Sequence, residues 1–310
     1  MIFEQSTLHG NATVTSEVTT KNRYTRSETT LGRGRDARVY EGFDRINKVK
    51  VAMKILPKSI RNDEHKEELM LRYRNEVEIL KRLDHKGVIG LIDYYEEPDQ
   101  ATIVLEYADG GDLSVRMLAL QRLDEDAAKT VTGNLIEALK HIHARNIVHR
   151  DLRLENILVK STSNVVDVMI ADFGSAAHCM GNHLTNPVGT TYYVAPEILL
   201  GIPYGKGVDI WSLGVIIYVM LHGVLPFLHE DLNLLFEKIM TAQFSFKENE
   251  VALSTEVKDL LSLILVPDSS RRLSLDEISA HSWFTDSIRP AFDQQLTNLD
   301  IPNKNHFRME

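Results

Sequence analysis

The chain has 310 residues, of which 43% are hydrophobic and 25% charged, and its formal net charge is −9. This composition is ordinary for a soluble globular protein with one large or two small domains. The negative charge argues against binding to nucleic-acid backbones or anionic membrane surfaces, and the single cysteine, Cys179, excludes an intrachain disulfide and suits a reducing compartment.

Residues 1–23 are polar and threonine-rich, which predicts a flexible N-terminal extension. Short β-type runs begin near Tyr24. Along residues 49–56, one set of alternate side chains is apolar, and the other set contains Ala52 and Lys54. A period of two is typical of a strand with two distinct faces, so Ala52 and Lys54 are predicted to share a face.

The period becomes helical between residues 62 and 83, and Glu76 falls on the apolar side of that predicted helix. A carboxylate that faces inward is costly unless a cation meets it. We therefore predict that Lys54 is the ionic partner of Glu76. The alternative for Lys54 is an ordinary exposed lysine on the surface of a strand.

After residues 106–111 the chain becomes mostly helical. Residues 131–142 carry an apolar stripe, and residues 210–221 are apolar on every side, as in a helix buried at the centre of a lobe. The sequence thus predicts a two-lobed α+β architecture with a ligand cleft between the lobes. The expected segments are a small β-rich N-lobe with one main helix at 24–107, a larger, mostly helical C-lobe at 108–284, and a tail at 285–310.

No secretory signal is evident at the N-terminus. The longest apolar stretch, residues 210–221, is shorter than the about 20 residues that a membrane-spanning helix needs. We therefore expect a cytoplasmic or nuclear protein without a transmembrane segment and without a nucleic-acid partner.

The most specific signal is a pair of motifs, His-Arg-Asp-Leu-Arg-Leu-Glu-Asn at 149–156 and Asp-Phe-Gly at 172–174. Asp151 and Asn156 lie 5 residues apart on one short loop, and Asp172 follows Asp151 by 21 residues, which leaves room for two short strands to return it to the same place. Two carboxylates and an amide could there hold a magnesium-bound triphosphate and an attacking hydroxyl. The ordered pair of motifs matches the protein-kinase signature set.

The chain resembles a eukaryotic-type Ser/Thr protein kinase, and it is most similar to the calcium/calmodulin-dependent protein kinase group. The resemblance runs from about residue 24 to residue 284. Its other motifs are the glycine loop at 31–34, the lysine strand at 51–54, the helix glutamate in 75–78, Ala-Pro-Glu at 195–197, Asp-Ile-Trp-Ser at 209–212 and Arg272. The resemblance implies a two-lobed protein-kinase fold and ATP-dependent transfer of the γ-phosphate to Ser/Thr hydroxyls of protein substrates.

The resemblance implies four catalytic residues, namely Asp151, Arg153, Lys54 and Glu76. Asp151 would orient the substrate hydroxyl and accept its proton, and Lys54, held by Glu76, would contact the α- and β-phosphates. Arg153 stands where most Ser/Thr kinases have a lysine. It would keep a positive charge near the γ-phosphate, on a bulkier and planar group.

The resemblance also implies a site for ATP and magnesium, with Asn156 and Asp172 as oxygen ligands of Mg²⁺. Backbone groups of Glu106 and Ala108 would bond the adenine edge, and amides of the glycine loop would approach the phosphates. Ala37 replaces the usual third glycine, so we expect a stiffer loop and weaker phosphate capping. The expected nucleotide-site residues are Leu31, Gly32, Arg33, Gly34, Val39, Ala52, Lys54, Leu105, Glu106, Ala108, Asp112, Glu155, Asn156, Leu158 and Asp172. The apolar members of this set could equally be plain core residues.

Thr190 matches the threonine that contacts the catalytic aspartate in Ser/Thr-directed kinases, which favours serine and threonine acceptors. Asp112 and Glu155 match acidic positions that in related kinases attract an arginine upstream of the acceptor. The alternative is that they are two solvated surface carboxylates. Asn186 aligns with a position that is often phosphorylated in kinases, so we predict that activity does not depend on phosphorylation in the loop 174–189.

Calcium control is implied by the resemblance alone, because the sequence shows neither an EF-hand loop nor the basic amphipathic tail of a calmodulin target. Two further functions are alternatives, a pseudokinase scaffold that binds nucleotide or partners without efficient transfer and a small-molecule phosphotransferase. The presence of Lys54, Asp151, Asn156 and Asp172 disfavours the first, and the Ala-Pro-Glu segment at 195–197 disfavours the second.

Overall fold

The computed structural model describes residues 23–34, 36–58, 63–246 and 252–285. The predicted N-terminal extension and C-terminal tail lie outside the described residues, apart from Arg23 and Thr285. Within the described ranges, no helix combines the length and the apolar character needed to cross a membrane.

The N-terminal part is a five-stranded sheet with one long helix. Its strands are β1 (Tyr24–Arg33), β2 (Arg38–Asp44), β3 (Val49–Pro57), β4 (Leu91–Glu96) and β5 (Gln100–Glu106), and the helix is α1 (Asp63–Leu80). The strands pair antiparallel in the spatial order β1-β2-β3-β5-β4. This is the small β-rich lobe with one main helix that the sequence predicts.

The central strand β3 has two distinct faces, as its alternating pattern predicts, and each face packs in a different apolar cluster. Val51, Met53 and Ile55 belong to a small outer apolar cluster, together with Tyr24 and Val104 of neighbouring strands. Ala52 and Leu56 point the other way and belong to the main core, which continues into the helical part of the chain. Because side chains alternate along a strand, Lys54 shares the inner face with Ala52.

The C-terminal part is mostly helical. Its helices are α2 (Leu113–Leu120), α3 (Glu125–Ala144), α4 (Pro196–Leu199), α5 (Gly207–His222), α6 (Leu232–Met240), α7 (Thr255–Ile264), α8 (Leu275–Ser279) and α9 (Ser282–Thr285). Two small antiparallel sheets lie among them, β6 (Ile147–Val148) paired with β9 (Ala177–His178), and β7 (Ile157–Ser161) paired with β8 (Asn164–Ile170).

Helix α5 forms the centre of this lobe. Every residue from Val208 to His222 is buried, which confirms the prediction of a helix that is apolar on every side. The predicted stripe on α3 is buried as well, since Val131, Leu135 and Leu139 are at most 2% exposed. The two-lobed α+β architecture is therefore confirmed.

Candidate active site

The hairpin of β7 and β8 brings together the two chain segments that carry the candidate site. Ile157 at the start of β7 pairs with Ile170 at the end of β8. The amide of Ala171 then donates to the carbonyl of Asn156 at 2.8 Å. Because antiparallel strands bring the residue before one strand next to the residue after the other, Asn156 lies beside Ala171, and Asp172 follows directly in the chain.

Asp151 is held by two neutral donors from different segments. The Asn156 side-chain amide donates to the Asp151 carbonyl at 2.8 Å and to its Oδ2 at 3.2 Å. The Thr190 hydroxyl donates to Asp151 Oδ1 at 2.8 Å, and it accepts from Arg153 Nη1 at 2.7 Å. Both carboxylate oxygens are thus fixed by hydrogen bonds that leave the group an acceptor, as a general base requires.

Lys54 links the two lobes through two carboxylates. Its ammonium lies 2.7 and 2.8 Å from the two oxygens of Glu76 on α1 and 2.8 Å from Oδ1 of Asp172. The phase of the predicted helix therefore indicated the right partner. Asp172 is the extra contact that the strand and helix periods alone could not reveal.

The charge of Lys54 favours the ionised forms of both carboxylates, whereas the negative charge of Asp172 disfavours that of Glu76. Burial alone would lower the pKa of Lys54, but the negative charges of Asp172 and Glu76 outweigh it and raise that pKa. The positive charge of Lys54 lowers the pKa of Asp172 to about 2, whereas burial raises the pKa of Glu76. Since the Asp172 side chain is 49% exposed and that of Glu76 only 4%, Asp172 is the carboxylate that an incoming cation could reach.

Gly174 fits closely against this trio. A Cβ at Gly174 would lie 3.2 Å from Asp172 Oδ1 and 3.6 Å from Lys54 Nζ. Asp172 itself adopts a left-handed conformation, with φ of 61°, and its Oδ1 accepts from the Gly174 amide at 3.4 Å. The Asp-Phe-Gly turn is thus shaped by contacts that a larger residue at 174 would crowd.

A buried network supports the loop that carries Asp151. Asp209, at the start of α5, accepts from the amides of His149 and Arg150 at 2.9 Å each and lies 2.8 Å from His143 Nε2. The His149 ring lies edge-on to Phe173, with ring centroids 4.9 Å apart. The bonds from the His149 and Arg150 amides therefore tie the segment that begins at His149 to the start of α5. His143 was missed, although an imidazole in the last turn of an amphipathic helix was the available signal.

The glycine loop connects β1 and β2. A Cβ at Gly32 would meet no protein atom within 4 Å, so open space lies beside this backbone. The Gly34 amide donates to the Ala37 carbonyl at 2.9 Å, and Arg33 pairs with Arg38 in the sheet. The loop therefore closes on itself one residue beyond the last strand pair, beside room for a phosphate.

The residues expected to enclose adenine lie in one apolar cluster. Ala52 pairs with Leu105 across β3 and β5, and Leu158 reaches the same region through a bridge to Asp112. The core cluster contains Ala52 and Leu105, and the partly buried side chains packed against it include Leu31, Val39, Ala108 and Leu158. The cluster is thus continuous across the two lobes.

The segment that joins the lobes is partly committed to internal hydrogen bonds. The Glu106 amide donates to the Gly90 carbonyl at 2.9 Å, and the amides of Asp109 and Gly110 donate to β7 carbonyls at 3.0 Å each. The prediction that backbone groups of Glu106 bond adenine is therefore limited to its carbonyl, because its amide already donates within the chain and cannot also donate to adenine.

The acidic residues Asp112 and Glu155 both have partners within the chain. Asp112 caps α2, where its Oδ1 accepts from the Val115 amide at 3.0 Å and from the Ser114 hydroxyl at 2.5 Å. Glu155 forms a two-pronged ion pair with Arg153, at 2.8 and 2.5 Å. The structure therefore places Arg153 between Glu155 and Thr190.

The polar groups fit a nucleotide-bound divalent metal. The Asn156 amide nitrogen is used by Asp151, so its oxygen is the atom that can serve as a ligand, next to the half-exposed Asp172. Among the described residues, no group of three or more His, Cys, Asp or Glu side chains could hold a metal by itself. A metal here would need phosphate oxygens as further ligands, which is how Mg²⁺ is commonly held with nucleotides.

Comparison with known families decides the identity. The protein kinase domain pattern matches residues 25–284. The chain belongs to the protein kinase family. As a kinase it is implied to use ATP and a divalent metal, and to act on protein substrates.

Three relatives indicate the group to which the kinase is similar. It is 36% identical to myosin light chain kinase A of Dictyostelium discoideum over 256 residues, which are 82% of this chain and 85% of the relative. It is 33% identical to calcium/calmodulin-dependent protein kinase type 1B of Homo sapiens, over 86% of this chain and 76% of the relative. It is 35% identical to calcium-dependent protein kinase 5 of Plasmodium falciparum, over 82% of this chain and 44% of the relative. The prediction of a Ser/Thr protein kinase similar to the calcium/calmodulin-dependent group is confirmed.

Proposed function

We propose that this kinase transfers the γ-phosphate of Mg-ATP to Ser or Thr hydroxyls of protein substrates that carry basic residues upstream of the acceptor. The observation that carries the proposal is the convergence of Lys54, Asp151, Asn156 and Asp172 through direct hydrogen bonds and one closed hairpin. These residues come from both lobes, and the apolar residues expected to enclose adenine belong to the core that continues across both lobes.

The proposed transfer places the substrate hydroxyl against Asp151. The hydroxyl oxygen forms a bond to the γ-phosphorus, the bond from that phosphorus to the β–γ bridging oxygen breaks, and ADP leaves. The hydroxyl proton moves to the Asp151 carboxylate. Because little covalent help is needed, the positions of Asp151 and its donor Thr190 are the main contribution of the chain at this step.

Lys54 would bind the α- and β-phosphates, and Glu76 would keep its ammonium in place. Asn156 and Asp172 would hold Mg²⁺, which when bound neutralises charge on the phosphates. Oxygen ligands on only two side chains agree with the preference of Mg²⁺ for sites completed by phosphate and water. Gly32 and Gly34 would admit the phosphates to the backbone.

A calcium-sensor protein is proposed as a regulatory partner, supported by the names of two of the relatives. One is a calcium/calmodulin-dependent and one a calcium-dependent protein kinase. The sequence shows no basic amphipathic tail for such a sensor, so the expected Ca²⁺-dependent change in activity with added calmodulin would have to act through the catalytic domain. Equal rates with Ca²⁺ and with a calcium chelator would count against this partner.

The direct test is turnover of Mg-ATP on a peptide with an arginine two or three residues before a serine. We expect a rate on the order of 1–100 per second and near-total loss in Asp172→Asn. Asp167→Asn, on β8 and 51% exposed, is the matched control and should retain the wild-type rate. Calorimetry on the same proteins should show ATP binding that strengthens with Mg²⁺ in the wild type and in Asp167→Asn, but not in Asp172→Asn. Full activity of Asp172→Asn would refute the assignment of this site.

A further inference from the structure

Arg153 makes three hydrogen bonds on a single face of the loop before β7. Its Nε and Nη2 donate to the two oxygens of Glu155 at 2.8 and 2.5 Å, and its Nη1 donates to the Thr190 hydroxyl at 2.7 Å. Both carboxylate oxygens of Glu155 are therefore bonded by one guanidinium from two residues away.

This geometry depends on arginine. A guanidinium is a planar fork that matches a carboxylate with two parallel hydrogen bonds, whereas a lysine ammonium is a point charge on a flexible stem. The pairing is also reflected in the pKa of Arg153, which is raised chiefly by its hydrogen bond to Glu155. A lysine ammonium at this position would present all its donors from a single nitrogen, so it could not make the two parallel bonds from separate nitrogens that hold Glu155.

The same two-pronged bond is the one that a substrate arginine would make with Glu155. The side chains of Arg153 and Glu155 are 29% and 35% exposed, so an incoming guanidinium can approach the pair from solvent. It would meet a carboxylate whose oxygens are already bonded within the chain. Recognition at Glu155 is therefore a competition between two arginines for one carboxylate.

We propose that Arg153 is a specificity-determining residue, which occupies Glu155 in place of a substrate arginine and so weakens the arginine preference at this part of the peptide site. The inference rests on the proposed function, because it concerns which peptides that site selects. The remaining preference for basic peptides would then depend on other acidic groups such as Asp112, whose carboxylate caps α2.

The test compares two serine peptides that differ only by an arginine or an alanine, with the arginine placed in turn at each of the five positions before the acceptor. For each enzyme the measured quantity is the ratio of kcat/KM for the arginine peptide to that for the alanine peptide. This ratio cancels any effect of a substitution on transfer itself. The enzymes are the wild type, Arg153→Lys, Glu155→Gln and the double variant. Arg145→Lys, at an exposed arginine on the same lobe whose guanidinium donates to the His141 carbonyl, is the matched control.

We expect Arg153→Lys to raise the ratio about fivefold at one position, which is the scale of a partly exposed charge pair, and Arg145→Lys to leave it unchanged. Glu155→Gln should leave the wild-type ratio unchanged and should abolish the gain in the double variant. An unchanged ratio in Arg153→Lys would overturn the proposal. So would a severalfold loss in the Glu155→Gln single variant, because Glu155 would then already be open to substrate.

Peptide binding in the presence of a non-hydrolysable ATP analogue and Mg²⁺ gives the same comparison without turnover. If neither peptide is phosphorylated by the wild type, the proposed function fails. The ratio of the two dissociation constants across the four enzymes still decides whether Arg153 occupies Glu155, with the same expected and refuting results.

Discussion

The buried ion pair between Glu197 and Arg272 offers the sharpest test of how the C-lobe is held together. The side chains are 4% and 1% exposed, and two parallel bonds of 2.9 and 3.1 Å join them. Arg272 also donates to the carbonyls of Gly207 at 2.6 Å and Val266 at 3.0 Å. One guanidinium thus connects the start of α4, the start of α5 and the segment after α7.

Replacing Arg272 with methionine would leave the Glu197 carboxylate buried without a cation. Breaking a buried pair in this way costs about 3–5 kcal/mol of unfolding free energy, because the remaining charge is desolvated and uncompensated. At about 2–4 °C per kcal/mol for a domain of this size, the Tm should fall by roughly 10 °C. Replacing both partners, with Glu197→Gln and Arg272→Met together, removes the stranded charge and should restore part of the loss.

Urea unfolding followed by tryptophan fluorescence is a suitable assay, since the Arg272 guanidinium lies 5.2 Å from the ring centroid of Trp211. Arg271→Met, an exposed neighbour, is the control and should change stability by less than about 0.5 kcal/mol. A loss below about 1 kcal/mol for Arg272→Met would refute the reasoning. A double variant as unstable as the single one would also refute it, because the stranded charge would then not be the cause.

Three further results are expected. Glu76→Gln should lower kcat/KM on the order of a hundredfold, because Lys54 loses the charge that positions it. Hydrogen bonds from Arg23 lower the pKa of buried Asp44 to about 2, from an ordinary value of 3.8. The ionised Asp44 carboxylate therefore stabilises the fold fully above pH 3.8, and this contribution is lost as the pH falls towards 2. Asp44→Asn should accordingly flatten the decline in Tm between about pH 5 and 2. Phosphatase treatment should leave the activity unchanged, because we predict no dependence on phosphorylation in the loop 174–189.

Each of these has a control and a result that would contradict it. Glu78→Gln, on the exposed side of α1 and paired with Lys81, should retain activity. An equal loss of activity in Glu76→Gln and Glu78→Gln would show that the loss does not come from the contact between Glu76 and Lys54. An unaltered acid profile in Asp44→Asn would mean that other carboxylates dominate the decline. Loss of activity on phosphatase treatment, reversed by rephosphorylation, would show that the loop does depend on a phosphate.

The parts of the site that follow from local periods could be predicted from the sequence. The strand phase predicted that Lys54 shares a face with Ala52, and the helix phase turned Glu76 to the apolar side. The predicted ion pair between them is the one that the structure shows. The spacing from Asp151 to Asp172 likewise left room for two short strands, and the pairing of β7 with β8 confirms that prediction. In each case a repeat of two or 3.6 residues, or a short closed loop, fixes the direction of a side chain.

Other contacts depend on where side chains meet in three dimensions. The pairing of Arg153 with Glu155 is a choice of rotamer between near neighbours, and no period predicts it. The bond from His143 to Asp209 joins α3 to α5 across the core. Arg150 has a φ of 68°, a left-handed conformation that a non-glycine residue adopts only when its surroundings impose it. An aspartate directly before a helix is a signal for an N-cap, which is the role that Asp112 has at α2. Its position also matches an acidic substrate-binding position in related kinases, and this resemblance predicts a role in substrate binding instead.

The geometry around Lys54 also explains why nucleotide and metal should bind together. Its ammonium bonds Glu76 from one lobe and Asp172 from the other, so a single positive charge serves two carboxylates. If phosphate oxygens bind the same ammonium, the positive charge of Lys54 neutralises the negative charge of Asp172 less completely. Binding of a second cation beside Asp172 then becomes favourable. A metal held by Asp172 and Asn156 would supply that charge and would leave the Lys54 ammonium to the phosphates. ATP affinity should therefore depend on the metal through Asp172, beyond the binding of the metal to ATP in solution, and the position of α1 enters the same balance because it carries Glu76.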